Sequence, residues 1–324
     1  MNRQSSAIAA VRPPLSTQRA TSGPGWGLVG VVAFSFTVPF TRVAAHDGLS
    51  PLFIGAGRAV VAAALAAAVL TLTRQARPTG RQWLRLAVVA AGVVAGFPLL
   101  TSYALQTAPA SHGAVVVGLL PAATAAVAVL RGKEGVSRAF WLFAALGAVA
   151  VAAFAAVQGG GLGGLHGSDA LLVGAVLAAA VGYGEGGLLA RELGSWQTVS
   201  WALVLSAPLM LALTVRAVVD EPPAASGSQW LAFAYLCVVS MYLGFFAWYR
   251  GLAIGPMAQV SQVQLVQPVL SILWAALLLG ETVTAPTVLG GLVVIACACL
   301  AVRARFRGDR GDRAHGAPGR VATG

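Results

Sequence analysis

The sequence predicts an all-α polytopic membrane protein, with ten transmembrane helices arranged as two inverted five-helix repeats. Three observations carry that prediction. The 324 residues are 58% hydrophobic and only 10% charged, with a mean hydropathy of +0.80, whereas a water-soluble domain carries roughly 25% charged residues. Ten apolar stretches each approach the ~20 residues that cross ~30 Å of hydrocarbon at 1.5 Å of rise per residue. Finally, the punctuation of the first half recurs in the second at a constant offset of 147. Pro109, Pro121 and Glu134 map onto Pro256, Pro268 and Glu281, and Trp83-Leu84 maps onto Trp230-Leu231.

In chain order, residues 1–24 are polar, carry Arg3, Arg12, Arg19 and Pro13-Pro14, and lack apolar periodicity, which predicts a disordered tail. The first apolar run starts too late and runs too long for a cleaved signal peptide. The first repeat, 25–158, holds spans at about 25–44, 51–72, 83–105, 108–130 and 139–157. A connector at 159–168 opens with Gly159-Gly160-Gly161-Leu162-Gly163-Gly164; no Gly-Lys-Ser/Thr follows it, so it reads as a linker and not as a phosphate cradle. The second repeat, 169–303, holds spans at about 170–189, 197–217, 229–249, 256–279 and 285–303. The Arg- and Gly-rich stretch 304–324 reads as a second disordered tail.

The charges orient this array. With both ends inside, eighteen of the 21 Lys and Arg fall on cytoplasmic segments, only Arg42 and Arg216 fall outside, and Arg58 lies within the second span. Cytoplasmic loops of membrane proteins gather Lys and Arg. The pattern therefore places both termini in the cytoplasm and accounts for the net charge of +11 without a nucleic-acid partner. A unit of five spans is odd, so the second copy must cross in the opposite sense. Inverted repeats are typical of secondary transporters, whose substrate sites lie near the bilayer midplane where the copies meet.

The segment PMAQVSQVQLVQPVLSILWAALLLGETVTAPTVLGGLVVIACACL, beginning at Pro256, combines a mid-helix proline, a leucine-rich run, a closing Leu-Gly-Glu and a final Gly-rich helix. In these features the chain resembles the EamA-type transporters of the drug/metabolite transporter superfamily over residues 25–303. The first half departs from the pattern, with Arg131-Gly132-Lys133-Glu134 in place of Leu-Leu-Gly-Glu. The resemblance implies ten helices in two inverted repeats and movement of small metabolites by alternating access. It names no substrate.

Candidate site residues follow from polar groups placed where lipid would penalise them. In the ninth span Gln264, Gln267, Ser271 and Trp274 share one side of a helix. Pro268, which has no N–H, should free the carbonyl of Gln264 and kink the helix; a freed carbonyl in a bilayer must be buried in protein or line a wet cavity. The glutamines read either as a binding wall or as polar glue between helices, with Gln259 and Gln262 weaker candidates. Across the repeat, Val117 and Leu120 stand opposite Gln264 and Gln267, so the site is expected to be polar on one side only.

Glu185, in VGYGEGGLLAR, is the one carboxylate well inside a span. Intramembrane ionisable groups are costly and are functional candidates by default. Glu185 reads as a proton-coupling group or an amine partner, and alternatively as an ion pair with an arginine such as Arg191. Arg58 reads as an anchor for a substrate carboxylate, a balance for Glu185, or a cap on neighbouring carbonyls. Tyr235, Tyr242 and Tyr249 recur every seven residues and should share a face, with Tyr242 the best cavity candidate and Trp248-Tyr249 at the interfacial aromatic belt. His112 is expected to be structural, and Glu134 and Glu281 to be helix-end groups.

Cys237, Cys297 and Cys299 form no CxxC and read as small buried hydrophobes. The chain lacks HExxH, a nucleophile elbow and an ATP-binding domain, so neither an enzyme, a metal site nor a cofactor is expected. The expected partners are a small-molecule substrate and the lipid bilayer, with a homodimer permitted by Gly92–Gly96 packing. The expected activity is secondary active export of amino acids or related small metabolites across the plasma membrane, with proton coupling through Glu185. An uptake permease, an uncoupled facilitator and a non-transporting receptor on the same scaffold are the competing readings.

Overall fold

The computed structural model describes residues 16–132, 138–158, 166–255, 260 and 263–315. Eight helices in it are long and apolar enough to cross a membrane: α1 (Gly23–Ala45), α2 (Pro51–Leu72), α3 (Gly80–Ala104), α4 (Ala110–Val127), α5 (Arg138–Val157), α6 (Gly167–Leu193), α7 (Ser195–Asp220) and α8 (Gly227–Ile254). Two shorter apolar helices complete the set, α9 (Gln264–Leu279) and α10 (Ala285–Ala301). Together they form a ten-helix polytopic membrane protein with the span order read from the sequence. Residues 159–165 of the expected connector 159–168, the glutamines Gln259 and Gln262, and Glu134 lie outside the described residues, while Gly167 and Ser168 already belong to α6.

The helix containing α1 starts at Ser16 and the one containing α10 runs to His315. Extending an established helix costs far less than nucleating one, so each helix continues past the apolar stretch that defines its span.

The two repeats pack through reciprocal pairs. Exchanging the halves turns the α1–α8 contact into α6–α3, and both are extensive. The α2–α7, α4–α9 and α5–α10 contacts map onto themselves under the same exchange, as a two-fold relation requires. Glycines let the paired backbones meet. A Cβ on Gly92 would stand 2.5 Å from the Ala178 carbonyl oxygen, and one on Gly96 would stand 2.8 Å from the Ala178 Cβ. The Gly92–Gly96 pair is therefore occupied inside the chain, at the α3–α6 crossing. On the other side Gly23 meets Gly255, and Gly27 meets Gly251.

Local signals recur with the repeat. Thr79 and Gln82 form a capping box at the start of α3, and Ser226 and Gln229 form the equivalent box at the start of α8. Each of these helices then opens into a π-helical segment at mid-length, Ala90–Gly96 in α3 and Leu236–Leu243 in α8. The wide-turn bond from Phe97 N–H to the Gly92 carbonyl maps, at the offset of 147, onto the bond from Gly244 N–H to the Val239 carbonyl. In α3 the following Pro98 lacks an N–H, so regular i→i−4 bonding could not continue through it.

The expected kinks at Pro121 and Pro268 are interruptions. One helix ends at Val117 and the next starts at Leu120; in the second repeat a single 3₁₀ turn, Gln264–Val266, leads into the helix Gln267–Leu279. Each proline thus sits in a first helical turn, where its missing N–H costs nothing. The α4 helix is the most enclosed, while α5 and α7 present leucine and valine faces outward, including Leu142, Leu146, Leu209 and Leu211. Those faces suit contact with lipid.

Candidate functional site

A cavity lies at mid-depth where the repeats meet. It is walled by Phe34 and Thr37 of α1, Arg58 of α2, Val93, Phe97 and Pro98 of α3, Ala179 and Tyr183 of α6, Ser240, Met241 and Phe245 of α8, and Gln267 of α9. Little room is left between these walls, about 20 Å³ for the centres of water-sized molecules. The cavity is constricted. Both π segments contribute to its wall, through Val93 and through Ser240-Met241. π-turns are rare and occur mostly at functional sites.

Polar groups gather on part of the wall. Thr37 Oγ1 and Ser240 Oγ share a hydrogen bond of 2.7 Å. Gln267 is buried, and its Oε1 has no hydrogen-bond partner among the described groups. Arg58 is 1% exposed, and its Nε and Nη2 likewise have none. It is the one charged group among the described lining residues. Around it stand the rings of Phe34, Phe97, Tyr183 and Phe245, with Phe34 stacked on Tyr183 at 6.2 Å and meeting Phe245 edge-on at 4.9 Å.

Other expected site residues are placed elsewhere. Ser271 Oγ donates to the Ser35 carbonyl at 2.7 Å and Trp274 Nε1 donates to Ser35 Oγ at 2.9 Å, so this side of α9 pins the break in α1 at Phe36. Gln264 is buried with both amide atoms lacking partners among the described groups, but it does not line the cavity. Tyr242 turns to α7, where its hydroxyl and Ser200 Oγ lie 3.1 Å apart. Tyr235 donates to the Ala33 carbonyl and Tyr249 to the Gly182 carbonyl, so the three tyrosines reach three different helices. The π segment between them is the reason: its wider turn advances the chain by less than 100° per residue, and a seven-residue spacing no longer returns to one face. Trp248 and Tyr249 are fully buried and not in an interfacial belt, because Gly30 and Gly186 admit them. Tyr183 and Phe245 escaped the sequence reading; aromatic residues in an apolar span carry no signal of which face they occupy.

Polar ties join the repeats at both ends. At one end the Arg85 guanidinium of α3 pairs with Glu185, 3% exposed, and with Glu192, both on α6. The partner of Glu185 is thus Arg85; Arg191 instead reaches the Leu252 carbonyl at 3.4 Å. At the other end Gly280, with φ +66°, ends α9 in a left-handed turn that carries Glu281 across the repeat boundary. There its carboxylate accepts from the N–H groups of Ala110 at 2.7 Å and Ser111 at 2.9 Å, capping α4. His112 of α4 meets Asp169 of α6 at 2.7 Å beside it, and Arg42 donates to the Leu105 carbonyl at 2.9 Å. Glu281 is the helix-end group its position suggested, and His112 is a cross-repeat contact.

The EamA-like transporter family model matches residues 21–156 and again 167–303, the same two halves that the packing relates. The chain belongs to the EamA-like transporter family. It is 45% identical over 281 residues to a protein of Bacillus subtilis (strain 168) named as the uncharacterized transporter YdeK, covering 86% of this chain and 97% of that one. A solved protein crystal structure shares the fold with a TM-score of 0.62 at 17% identity, over 89% of this chain and 99% of the other. As an EamA-like protein the chain is a membrane transporter.

Proposed function

We propose that this transporter is a secondary active exporter of the plasma membrane, both termini cytoplasmic, that moves amino acids or related small metabolites by alternating access. The observation that carries this reading is the constricted cavity between two repeats that are polar-tied at both ends. Rocking one repeat against the other would break one set of ties and keep the other, opening the cavity to one side at a time. The distribution of Lys and Arg supports cytoplasmic termini, which puts the Arg85 end inside and the Glu281 end outside.

Glu185 couples this motion to protons: taking up a proton removes its charge and breaks the buried half of the Arg85 pairing, leaving Arg85 with the more exposed Glu192 and loosening α3 from α6 at the inner end. Substrate is held by Arg58 and Gln267, with Thr37 and Ser240 beside them. Flux in proteoliposomes tests the reading. Amino acids and small organic acids should move faster under an imposed pH gradient, and Glu185→Gln should abolish that acceleration. Flux that is unaffected by the gradient in both proteins removes the coupling, and absence of flux for every probe removes the transport reading at this site.

A further inference from the structure

Arg58 is the most costly side chain in the cavity. A buried cation needs an anion or a full set of acceptors, and two of the guanidinium donors have no partner among the described groups. The hydroxyl and amide groups of Thr37, Tyr183, Ser240 and Gln267 are the polar groups in the wall, and no carboxylate is among the described lining residues. Glu185, the counter-charge that the sequence suggests for Arg58, is engaged with Arg85. The guanidinium presents a planar fork that suits a carboxylate.

From this we infer that the cavity takes an organic monoanion, a carboxylate on an apolar or aromatic body with no amino group, its carboxylate held by Arg58. The inference rests on the transporter reading above and, within it, favours the related carboxylic acids over the amino acids themselves. Charge balance decides between an acid and an amino acid. A monoanion neutralises the Arg58 site, whereas a zwitterion leaves it with a net positive charge and brings an ammonium to a wall that offers it hydroxyl and amide oxygens but no carboxylate among the described residues. Phe34, Phe97, Tyr183, Met241 and Phe245 supply the apolar wall for the body. The constriction means that these walls part as the ligand enters, and Arg58 drives this by gaining its missing acceptors. A lipid headgroup does not reach the site: Arg58 lies seven residues into α2, about 10 Å along the axis from its end.

Three probes that share a phenylethyl body and differ in charge test the inference: 3-phenylpropionate, phenylalanine and phenethylamine, measured by calorimetry on the full chain in detergent and by flux in proteoliposomes. The expected order is 3-phenylpropionate tightest and phenethylamine weakest. Arg58→Gln should weaken 3-phenylpropionate by about 10- to 100-fold, the range for a lost charged hydrogen-bond pair, and Arg58→Lys should restore part of it. If Arg58→Gln does not fold, Arg58→Lys with thermal shifts for the three probes gives the same ranking. Phenylalanine binding tighter than 3-phenylpropionate, or an affinity indifferent to Arg58, overturns the inference while leaving transport intact. Charge-ranked binding without flux leaves the Arg58 site standing and removes the transport reading instead.

Discussion

At the scale of single residues, the two glutamines of α9 separate what a similar burial hides. Gln264 and Gln267 are 1% and 3% exposed, and both have unpartnered amide atoms among the described groups, but only Gln267 lines the cavity. Replacing a buried polar group that has no partner by an apolar one is near neutral or stabilising. Gln264→Leu should therefore leave the thermal midpoint in detergent unchanged or raise it, with ligand affinity intact. Gln267→Leu should cost about 0.5–1.5 kcal/mol of ligand binding, the net worth of one hydrogen bond, measured by calorimetry with the tightest probe. Gly186 gives a second residue-scale test, because a Cβ there would stand 2.2 Å from the Tyr249 hydroxyl. Gly186→Ala overpacks a buried contact and should lower stability by about 1–3 kcal/mol; a midpoint unchanged on thermal unfolding would mean that Tyr249 does not sit against α6.

Among the elements, order and number were legible because a membrane leaves few options: every backbone group must be satisfied within the helix, and length is set by the bilayer. The repeat offset also predicted which helices correspond. What stayed hidden was phase. The π segments in α3 and α8 shift every later side chain around the axis, so Tyr242 and Tyr249 left the face that a regular helix would give them, while Ser240 and Met241 arrived at the cavity. No composition signal marks such a turn; only its recurrence at equivalent places in both repeats shows that it belongs to the design. Prolines were read correctly as interruptions of bonding but not as first-turn residues of a new helix. Glu281 is the element-scale test, since its carboxylate caps α4 from the other repeat. Glu281→Ala removes a charged cap worth about 0.5–2 kcal/mol and should raise the reactivity of a cysteine placed at Ser111 toward an impermeant thiol reagent, in a background where Cys237, Cys297 and Cys299 are replaced. Unchanged reactivity would show that the cap does not hold that end shut.

For the whole molecule, the site residues were half legible. Arg58 and Gln267 stood out because ions and amides in a span are expensive, and the structure brings them to one cavity. The partner of Glu185 was not legible, because Arg85 is 100 residues away and its reach across the repeat boundary depends on how α3 and α6 cross. If that pair ties the repeats, the charge swap Arg85→Glu with Glu185→Arg should recover stability that either single reversal loses, an interaction energy on the order of 0.5–3 kcal/mol in a double-mutant cycle. Additive losses would make the contact incidental. The central claim is that one cavity opens to two sides in turn, and labelling of a cysteine at Ser240 in the same cysteine-free background tests it most directly. With Arg85→Ala added, the cysteine should react with impermeant reagent from the face bearing the termini; with Glu281→Ala added, it should react from the opposite face. Reaction from the same face in both variants would contradict the account.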